Sequence, residues 1–124
     1  MILQKKVQKK RLYREYVSIL NGIYELSNKE MDVFAALLAV DFSWPVEIRH
    51  RDIVDNSSRA YLSKTFSMNR SNVSRYVTKL KDKGILVLNK SLGWEINPIL
   101  KRAFSTTPVN VTILLELIDE KSGI

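Results

Sequence analysis

The stretch that decides the fold is residues 58–97, which read SRAYLSKTFSMNRSNVSRYVTKLKDKGILVLNKSLGWEIN. Its apolar side chains recur at the spacing of two short helices that cross and share a small core. Asn69 is placed to cap the start of the second helix, and Gly84 is placed to end it in the left-handed conformation. The pattern therefore predicts a helix-turn-helix unit. Its shared core comprises Leu62, Phe66, Met68, Val73, Tyr76, Val77 and Leu80.

Two short strands are predicted directly after the second helix. Residues 85–89 and 94–97 are rich in apolar and β-branched side chains, and residues 90–93 between them suit a tight turn. A helix pair followed by a small antiparallel hairpin is the winged form of the helix-turn-helix. The predicted fold class is therefore mainly α with a small β-hairpin wing, an α+β fold.

The outward face of the second predicted helix, residues 70–82, is rich in hydrogen-bonding and mostly cationic side chains. At about 3.6 residues per turn, this face lies opposite the apolar stripe. Such side chains contact base edges in the major groove of DNA, where Arg favours guanine and Asn favours adenine. Any solvent-exposed helix face carries polar side chains, so the alternative is that this face contacts only water. We assign base edges to Ser71, Asn72, Arg75 and Thr78, and phosphates to Arg59, Lys64, Arg70, Lys79 and Lys90.

The run NRSNVSRYVTKLKDKGILV, residues 69–87, resembles the recognition helix and first wing strand of winged-helix regulators, including the MarR-like group. The similarity lies in Ser71 near the helix start, Arg75 four residues later, and the lysine-rich exit before Gly84. The resemblance implies a winged helix-turn-helix that binds DNA. In size the chain is also similar to small winged-helix proteins of phages.

The chain departs from that family pattern in the turn and in the wing. Ser63 and Ser67 stand where the motif usually has Ala and Gly. The predicted wing tip, residues 90–93, is short and carries one cation.

The charge of the chain is distributed unevenly. The net charge is +7, with six cations and no acid in residues 1–14 and eight cations and one acid in residues 56–93. Residues 15–55 between them carry a net charge of −5. Two basic regions beside an acidic body fit a surface for a polyanion, although lysines clustered for solubility are the alternative. The predicted N-terminal basic arm comprises Lys5, Lys6, Lys9, Lys10 and Arg11.

Three parts of the chain are predicted: a basic N-terminal amphipathic helix in residues 1–26, the winged domain in residues 27–97 and a C-terminal extension in residues 98–124. Within the first part, residues 4–26 carry two neighbouring apolar stripes at helical spacing. A helix apolar over so wide an arc packs either on its own core or against a second copy.

Local signals place further elements inside the winged domain. Ser27 and Glu30 are spaced as a capping box for a helix that ends near Val40. Val46 and Ile48 alternate with polar neighbours and predict a short strand beside the hairpin. The cap of the helix before the turn is Asp55, Asn56 or Ser57.

The C-terminal extension holds a short helix and an ambiguous segment. Asn97 followed by proline predicts a helix over residues 99–104. Residues 109–118 alternate between apolar and mostly polar side chains and predict a strand, with a helix from Pro108 as the alternative. Because a strand here would have a free edge, we expect a homodimer or larger assembly through residues 4–26 and 109–118.

The sequence gives no indication of an enzyme, a cofactor or a metal site. It has no cysteine and one histidine, His50, so no cysteine or second histidine stands at the spacing of metal ligands. No apolar run approaches the roughly 18–20 residues of a membrane span, and the N-terminus lacks the apolar core of a secretion signal. We therefore expect a cytoplasmic protein. The aromatic residues that line either the core or a small-molecule pocket are Tyr13, Tyr16, Tyr24 and Trp44.

The function predicted from these features is sequence-specific binding of double-stranded DNA by a transcriptional regulator, with residues 70–82 in the major groove. The alternative is a winged-helix architectural, adaptor or replication-initiation protein in a phage-like assembly that binds mainly protein partners. The wide apolar arc of the first helix and the predicted free strand edge favour that alternative.

Overall fold

The computed structural model describes residues 2–44 and 51–118. Within these ranges the protein is mainly helical, with five α-helices and one two-stranded antiparallel sheet. The helices are α1 (Leu12–Tyr24), α2 (Asn28–Ser43), α3 (Asn56–Thr65), α4 (Arg70–Asp82) and α5 (Pro98–Lys101). The strands are β1 (Leu86–Asn89) and β2 (Gly93–Ile96), and short 3₁₀ turns cover Lys9–Arg11 and Arg102–Ser105.

Helix α1 is shorter than the helix predicted over residues 4–26. It begins at Leu12 after the 3₁₀ turn, and residues 2–8 form no regular element. The preceding lysines place positive charge at the positive end of the helix dipole, and no side chain caps this start. The helix ends at Tyr24, and the next residue, Glu25, adopts the left-handed conformation with φ of 54°.

Helix α2 is the central element and starts as predicted. The Ser27 hydroxyl accepts a hydrogen bond from the Glu30 N–H at 3.2 Å, and the Glu30 carboxylate accepts one from the Ser27 N–H at 3.3 Å. This confirms the capping box. The helix continues past Val40 to Ser43, and it packs against α1, α3 and α4. Its buried residues are Met31, Val33, Phe34, Ala35, Leu37, Leu38 and Asp41.

The predicted core between α3 and α4 is confirmed. Leu62 of α3 is fully buried, and so are Val73, Val77 and Leu80 of α4. The remaining members, Phe66, Met68 and Tyr76, are half-buried and pack against this cluster.

The predicted hairpin is confirmed to within one residue at each strand end. Leu86 pairs with Ile96 and Asn89 with Gly93. The backbone before α3 lies beside this hairpin, because the Ile53 N–H donates to the Trp94 carbonyl at 2.9 Å. The strand predicted at Val46 and Ile48 lies outside the described residues.

The start of the C-terminal extension agrees with prediction. The Asn97 side chain accepts from the Ile99 N–H at 3.2 Å, and Pro98 opens α5. The expectation for residues 109–118 was wrong, since the described segment is neither strand nor helix. An alternating segment needs a neighbouring strand to form a sheet, and the described part of the chain supplies none to it.

A cluster of four aromatic rings packs the C-terminal extension against α1 and α2. The Phe104 ring lies 4.7 Å from the Tyr16 ring, 5.4 Å from the Tyr13 ring and 5.2 Å from the Phe42 ring, between centroids. The Tyr16 hydroxyl donates to the Leu100 carbonyl. Tyr13 and Tyr16 therefore belong to the packed interior, which is one of the two readings left open by the sequence.

An ion pair reinforces the same junction. The Lys101 ammonium lies 3.2 Å from the carboxylate of Asp41, which is only 7% exposed. No helix in the described ranges is long and apolar enough to cross a bilayer.

Candidate nucleic-acid interface

Helix α4 is fixed at its start by a side-chain cap. The Asn69 side chain accepts a hydrogen bond from the Asn72 N–H at 2.8 Å, as predicted. One side of the helix is anchored in the core by Val73, Val77 and Leu80. The opposite side is exposed to solvent. The helix therefore has a fixed orientation and a free outer face.

The turn before α4 accommodates Ser63 and Ser67, which stand where the winged-helix pattern usually has Ala and Gly. Ser67 adopts the left-handed conformation with φ of 50°, a geometry that glycine takes more readily. The Ser63 hydroxyl donates to the Met68 carbonyl, and the Met68 N–H donates to the Ser63 carbonyl at 3.0 Å. Serine at position 63 thus ties α3 to the turn, which an alanine side chain could not do.

The four side chains assigned to base edges lie on one helix, and three of them are exposed: Ser71, Arg75 and Thr78. Asn72 is half-buried, and its backbone N–H is the one held by Asn69. The Arg75 guanidinium lies 5.4 Å from the centroid of the neighbouring Tyr76 ring. This contact restricts the directions in which the guanidinium points.

Four of the five side chains assigned to phosphates are exposed: Lys64, Arg70, Lys79 and Lys90. Arg59 differs because the protein itself uses its N–H groups. Its Nε donates to the Val54 carbonyl at 2.7 Å, and its Nη1 donates to the Ser74 hydroxyl at 3.0 Å. Arg59 therefore links the start of α3 to the middle of α4 and helps to orient the outer face.

The start of α3 is capped by Asp55, one of the three residues that the sequence left open. Its carboxylate accepts from the Ser58 N–H at 2.8 Å and pairs with Arg51 at 2.5 Å. Burial alone would raise the pKa of Asp55, but these two donors outweigh it and hold that pKa below its ordinary value.

The hairpin is attached to α4 by a contact that sequence reasoning missed. The Lys81 ammonium lies 4.1 Å from the centroid of the Trp94 ring. The turn itself is held by the Asn89 side chain, which accepts from the Ser91 N–H at 2.8 Å. A lysine and a tryptophan 13 positions apart carry no local signal of this pairing, since it depends on how the strand returns to the helix.

Lys83 follows the end of α4 but forms hydrogen bonds with the end of α1. Its ammonium donates to the carbonyls of Tyr24 at 3.0 Å and Glu25 at 2.7 Å. It therefore satisfies carbonyl groups at the C-terminal end of α1. Local sequence does not show this role, because the two segments are almost 60 residues apart.

The basic arm lies along α1 at one point. Lys5 pairs with Glu15 at 2.6 Å and, mainly through that hydrogen bond, lowers the pKa of the carboxyl group. The other four cations of the arm, Lys6, Lys9, Lys10 and Arg11, are exposed.

Two clefts in the described structure open to solvent. One, of about 450 Å³, lies between α2 and α3 and includes Trp44 and Tyr61. The other, of about 490 Å³, lies between α1 and the C-terminal extension and includes Tyr16 and Tyr24. Within residues 2–44 and 51–118, no three His, Cys, Asp or Glu side chains are grouped to hold a metal ion.

Comparison of the chain with protein-family models, curated proteins and solved structures found no match.

Proposed function

We propose that the protein is a non-enzymatic, sequence-specific binder of double-stranded DNA, a transcriptional regulator with a winged helix-turn-helix that places α4 in the major groove. The observation that carries the proposal is the two-sided character of α4. Val73, Val77 and Leu80 hold one side in the core, and the other side presents exposed hydrogen-bonding and cationic groups. A duplex reader needs that combination of a fixed helix and a free polar face.

Electrostatics support a polyanionic partner. Residues 56–93 carry a net charge of +7, and Asp82 is their one acid. This acid lies at the last position of α4, away from Ser71 and Arg75. Phosphate neutralisation by exposed lysines would supply most of the affinity and make it dependent on salt.

The roles of the side chains follow from their exposure. Arg75 is the candidate for paired hydrogen bonds to guanine, and Ser71 and Thr78 contact neighbouring base edges or phosphates. Asn72 is half-buried, so its reach into the groove is shorter than that of Arg75. The exposed cations Lys64, Arg70, Lys79 and Lys90 contact phosphates, while Arg59 acts by orienting α4.

The test begins with selection of bound duplexes from a random pool. The affinity for the selected site is then compared with that for a scrambled site at several salt concentrations. Arg75→Ala should reduce the discrimination between the two sites by about 1–3 kcal/mol, because a base contact is lost. Lys79→Ala should weaken both sites alike and lower the salt slope by about 1, because a phosphate contact is lost.

Arg102→Ala is the matched control, since it removes one exposed cation from the C-terminal extension. It should leave both quantities nearly unchanged. If Arg75→Ala leaves discrimination unchanged, α4 is not the reading helix.

A second candidate function is a module that binds protein partners within an assembly. It is favoured by the exposed apolar side chains of Leu114, Leu115, Leu117 and Ile118. Titration with mixed-sequence DNA at two salt concentrations separates the two functions. Lack of any salt-sensitive affinity would support the protein-binding function.

A further inference from the structure

Ser18 of α1 and Ser74 of α4 each accept a hydrogen bond from an arginine side chain, but they differ in the use of their own proton. The Ser18 hydroxyl accepts from Arg14 Nη1 at 2.6 Å and donates to the Arg14 carbonyl at 2.9 Å. The Ser74 hydroxyl accepts from Arg59 Nη1 at 3.0 Å, and within the described part of the chain it donates to no group. Both serines are exposed. The Ser74 proton is therefore available to an acceptor outside the protein.

The direction of this donor is set by Arg59. An arginine side chain carries donors only, so the Ser74 oxygen accepts from it and the Ser74 O–H points away from it. The guanidinium is held in place, because its Nε donates to the carbonyl of the buried residue Val54 at 2.7 Å. A hydrogen bond received from a cation also polarises the hydroxyl and strengthens it as a donor. Arg59 thus fixes Ser74 as a donor that points away from the guanidinium.

The charge beside Ser74 favours an anionic acceptor. Arg59 is half-buried, and no carboxylate of the described residues lies within ion-pair distance of it. The nearest acid in the sequence, Asp55, pairs with Arg51 instead. Arg70, one helical turn before Ser74 on the same side of α4, is exposed and adds a second cation. An oriented donor beside two positive charges suits a phosphate oxygen.

Ser74 lies at the edge of the outer face of α4, next to α3. Helical geometry places it roughly 70° round the helix from the middle of Ser71, Arg75 and Thr78. Its hydrogen bond to Arg59 shows that this edge faces the start of α3. When the second helix of such a pair lies in the major groove, the first helix crosses the sugar–phosphate backbone. The edge of α4 beside α3 is therefore the part of the face that phosphates would approach.

We propose that Ser74 contacts the duplex by donating its hydroxyl proton in a hydrogen bond to a phosphodiester oxygen, and that Arg59 is the positioning residue that orients this hydroxyl. The inference rests on the proposed function, because the phosphate belongs to a duplex bound by α4. Unlike the lysines that contact phosphates, Ser74 is neutral. It therefore contributes to affinity for every sequence without adding to the release of counterions.

Ser74→Ala removes the donor and leaves Arg59 in place. We expect the affinities for the selected site and for the scrambled site to fall alike, by about tenfold, because both complexes lose a hydrogen bond to a charged group. The salt slope should stay unchanged, because no charge is removed. Ser18→Ala is the matched control, since it removes the arginine-bound hydroxyl of α1, and it should change neither affinity. Urea unfolding shows whether both variants remain folded.

Single methylphosphonates in the selected duplex locate the contact. Each one replaces a non-bridging phosphate oxygen with a methyl group, and so removes one acceptor and its charge. At one position, the loss of affinity caused by the methylphosphonate should be about tenfold smaller for Ser74→Ala than for the unmodified chain, because both changes remove the same hydrogen bond. At the other positions the two proteins should lose affinity equally.

Arg59→Met tests the positioning role with a long side chain that donates no hydrogen bond. In the Arg59→Met protein, Ser74→Ala should lower the affinity by less than about twofold, because the hydroxyl is no longer oriented towards the phosphate. The methylphosphonate at the Ser74 position should also lose its additional effect, while methylphosphonates elsewhere keep theirs. An arginine that only stabilised the fold would leave the contribution of Ser74 intact.

Three results would overturn this inference while leaving the proposed function in place. The first is an unchanged affinity of Ser74→Ala when Arg75→Ala still loses discrimination. The second is a loss of affinity confined to the selected site, which would make Ser74 a base contact. The third is a methylphosphonate scan in which no position responds differently in Ser74→Ala and the unmodified chain. A chain without salt-sensitive affinity for duplexes would instead overturn the proposed function and this contact together.

Discussion

At the scale of single residues, Gly93 and Gly84 both have positive φ but differ in their surroundings. Gly84 ends α4 with φ of 76° and has open space where a Cβ would lie. Gly93 begins β2 with φ of 95°, and a Cβ there would lie 2.6 Å from the Asp52 carboxylate. Asp52 is itself held, because it accepts a hydrogen bond from the Val54 N–H at 2.8 Å. Gly93 therefore allows the chain before α3 to approach the hairpin.

Alanine substitutions separate these two effects. Gly84→Ala should lower the free energy of unfolding by about 1 kcal/mol, from the left-handed backbone alone. Gly93→Ala should lower it by about 2–4 kcal/mol, because the added methyl group also displaces Asp52. Urea unfolding measures both.

Gly22→Ala provides the control. Gly22 lies inside α1 with nothing within 4 Å of an added Cβ, so this change should stabilise the protein by up to about 1 kcal/mol. If Gly84→Ala and Gly93→Ala lower the free energy of unfolding equally, the contact of the added methyl group with Asp52 does not destabilise the fold.

Residue-level features were predictable where the cause is local. The caps at Ser27 and Asn69 and the left-handed Gly84 each depend on a few adjacent residues, and the sequence identified all three. The bonds of Arg59 and Lys83 were not predictable, because their partners come from other elements. The sequence assigned Arg59 to a phosphate and Lys83 to the lysine-rich end of its own helix, whereas the fold places carbonyl groups beside both side chains.

At the scale of elements, α1 is held to the end of α4 through Lys83. Its ammonium group donates to two carbonyls at the C-terminal end of α1, where the helix dipole is negative. Leu26, the apolar residue that follows this helix end, is buried. The junction thus combines a charge contact with apolar packing.

Lys83→Met tests the charge contact while keeping a side chain of similar reach. We expect the free energy of unfolding to fall by about 1 kcal/mol, because the carbonyls lose a charged donor. Lys79→Met on the exposed face of α4 is the control and should change stability by less than about 0.5 kcal/mol. Comparable losses in the two variants would show that the bonds to Tyr24 and Glu25 do not stabilise the fold.

Helices and strands were predictable where a segment with a clear apolar pattern packs against an element close to it in the sequence. The α3–α4 core and the hairpin meet that condition, and the sequence located them well. Residues 109–118 have a strand pattern, but the described chain offers no adjacent strand, so the pattern alone misled. The start of α1 was misplaced because the prediction extended the helix over residues 4–11, where Val7 is the one apolar side chain and the lysines oppose the helix dipole.

At the scale of the whole molecule, the C-terminal extension closes over α1 and α2 around Tyr16. This side chain is 4% exposed, packs edge-on against Phe104 and donates to the Leu100 carbonyl. Burial, with a smaller effect of Tyr24, raises the pKa of Tyr16 from 10.0 to about 12.

This pKa shift gives stability a defined dependence on alkaline pH. Above pH 10 the unfolded chain has released the Tyr16 proton while the folded chain retains it, so stability falls as the pH rises towards about 12. Below pH 10 the contribution is fully present. The slope is about 1.4 kcal/mol per pH unit.

Tyr16→Phe removes this titration. At about pH 8 the variant should be about 1 kcal/mol less stable than the unmodified protein, because the hydrogen bond to Leu100 is lost. At about pH 11 the difference should shrink by about 1 kcal/mol, because only the unmodified chain ionises there on unfolding. Urea unfolding at the two pH values measures the change, and a constant difference would contradict the assigned shift.

The contact between Lys81 and Trp94 places an intrinsic fluorophore where the hairpin meets α4. The sequence contains two tryptophans, so replacing Trp44 with Phe leaves a single indole, seated where the hairpin meets α4. Indole emission responds to a nearby ammonium group. If the emission of that variant changes when a duplex is added, the contact between α4 and the hairpin has changed, and no attached dye is needed to detect it.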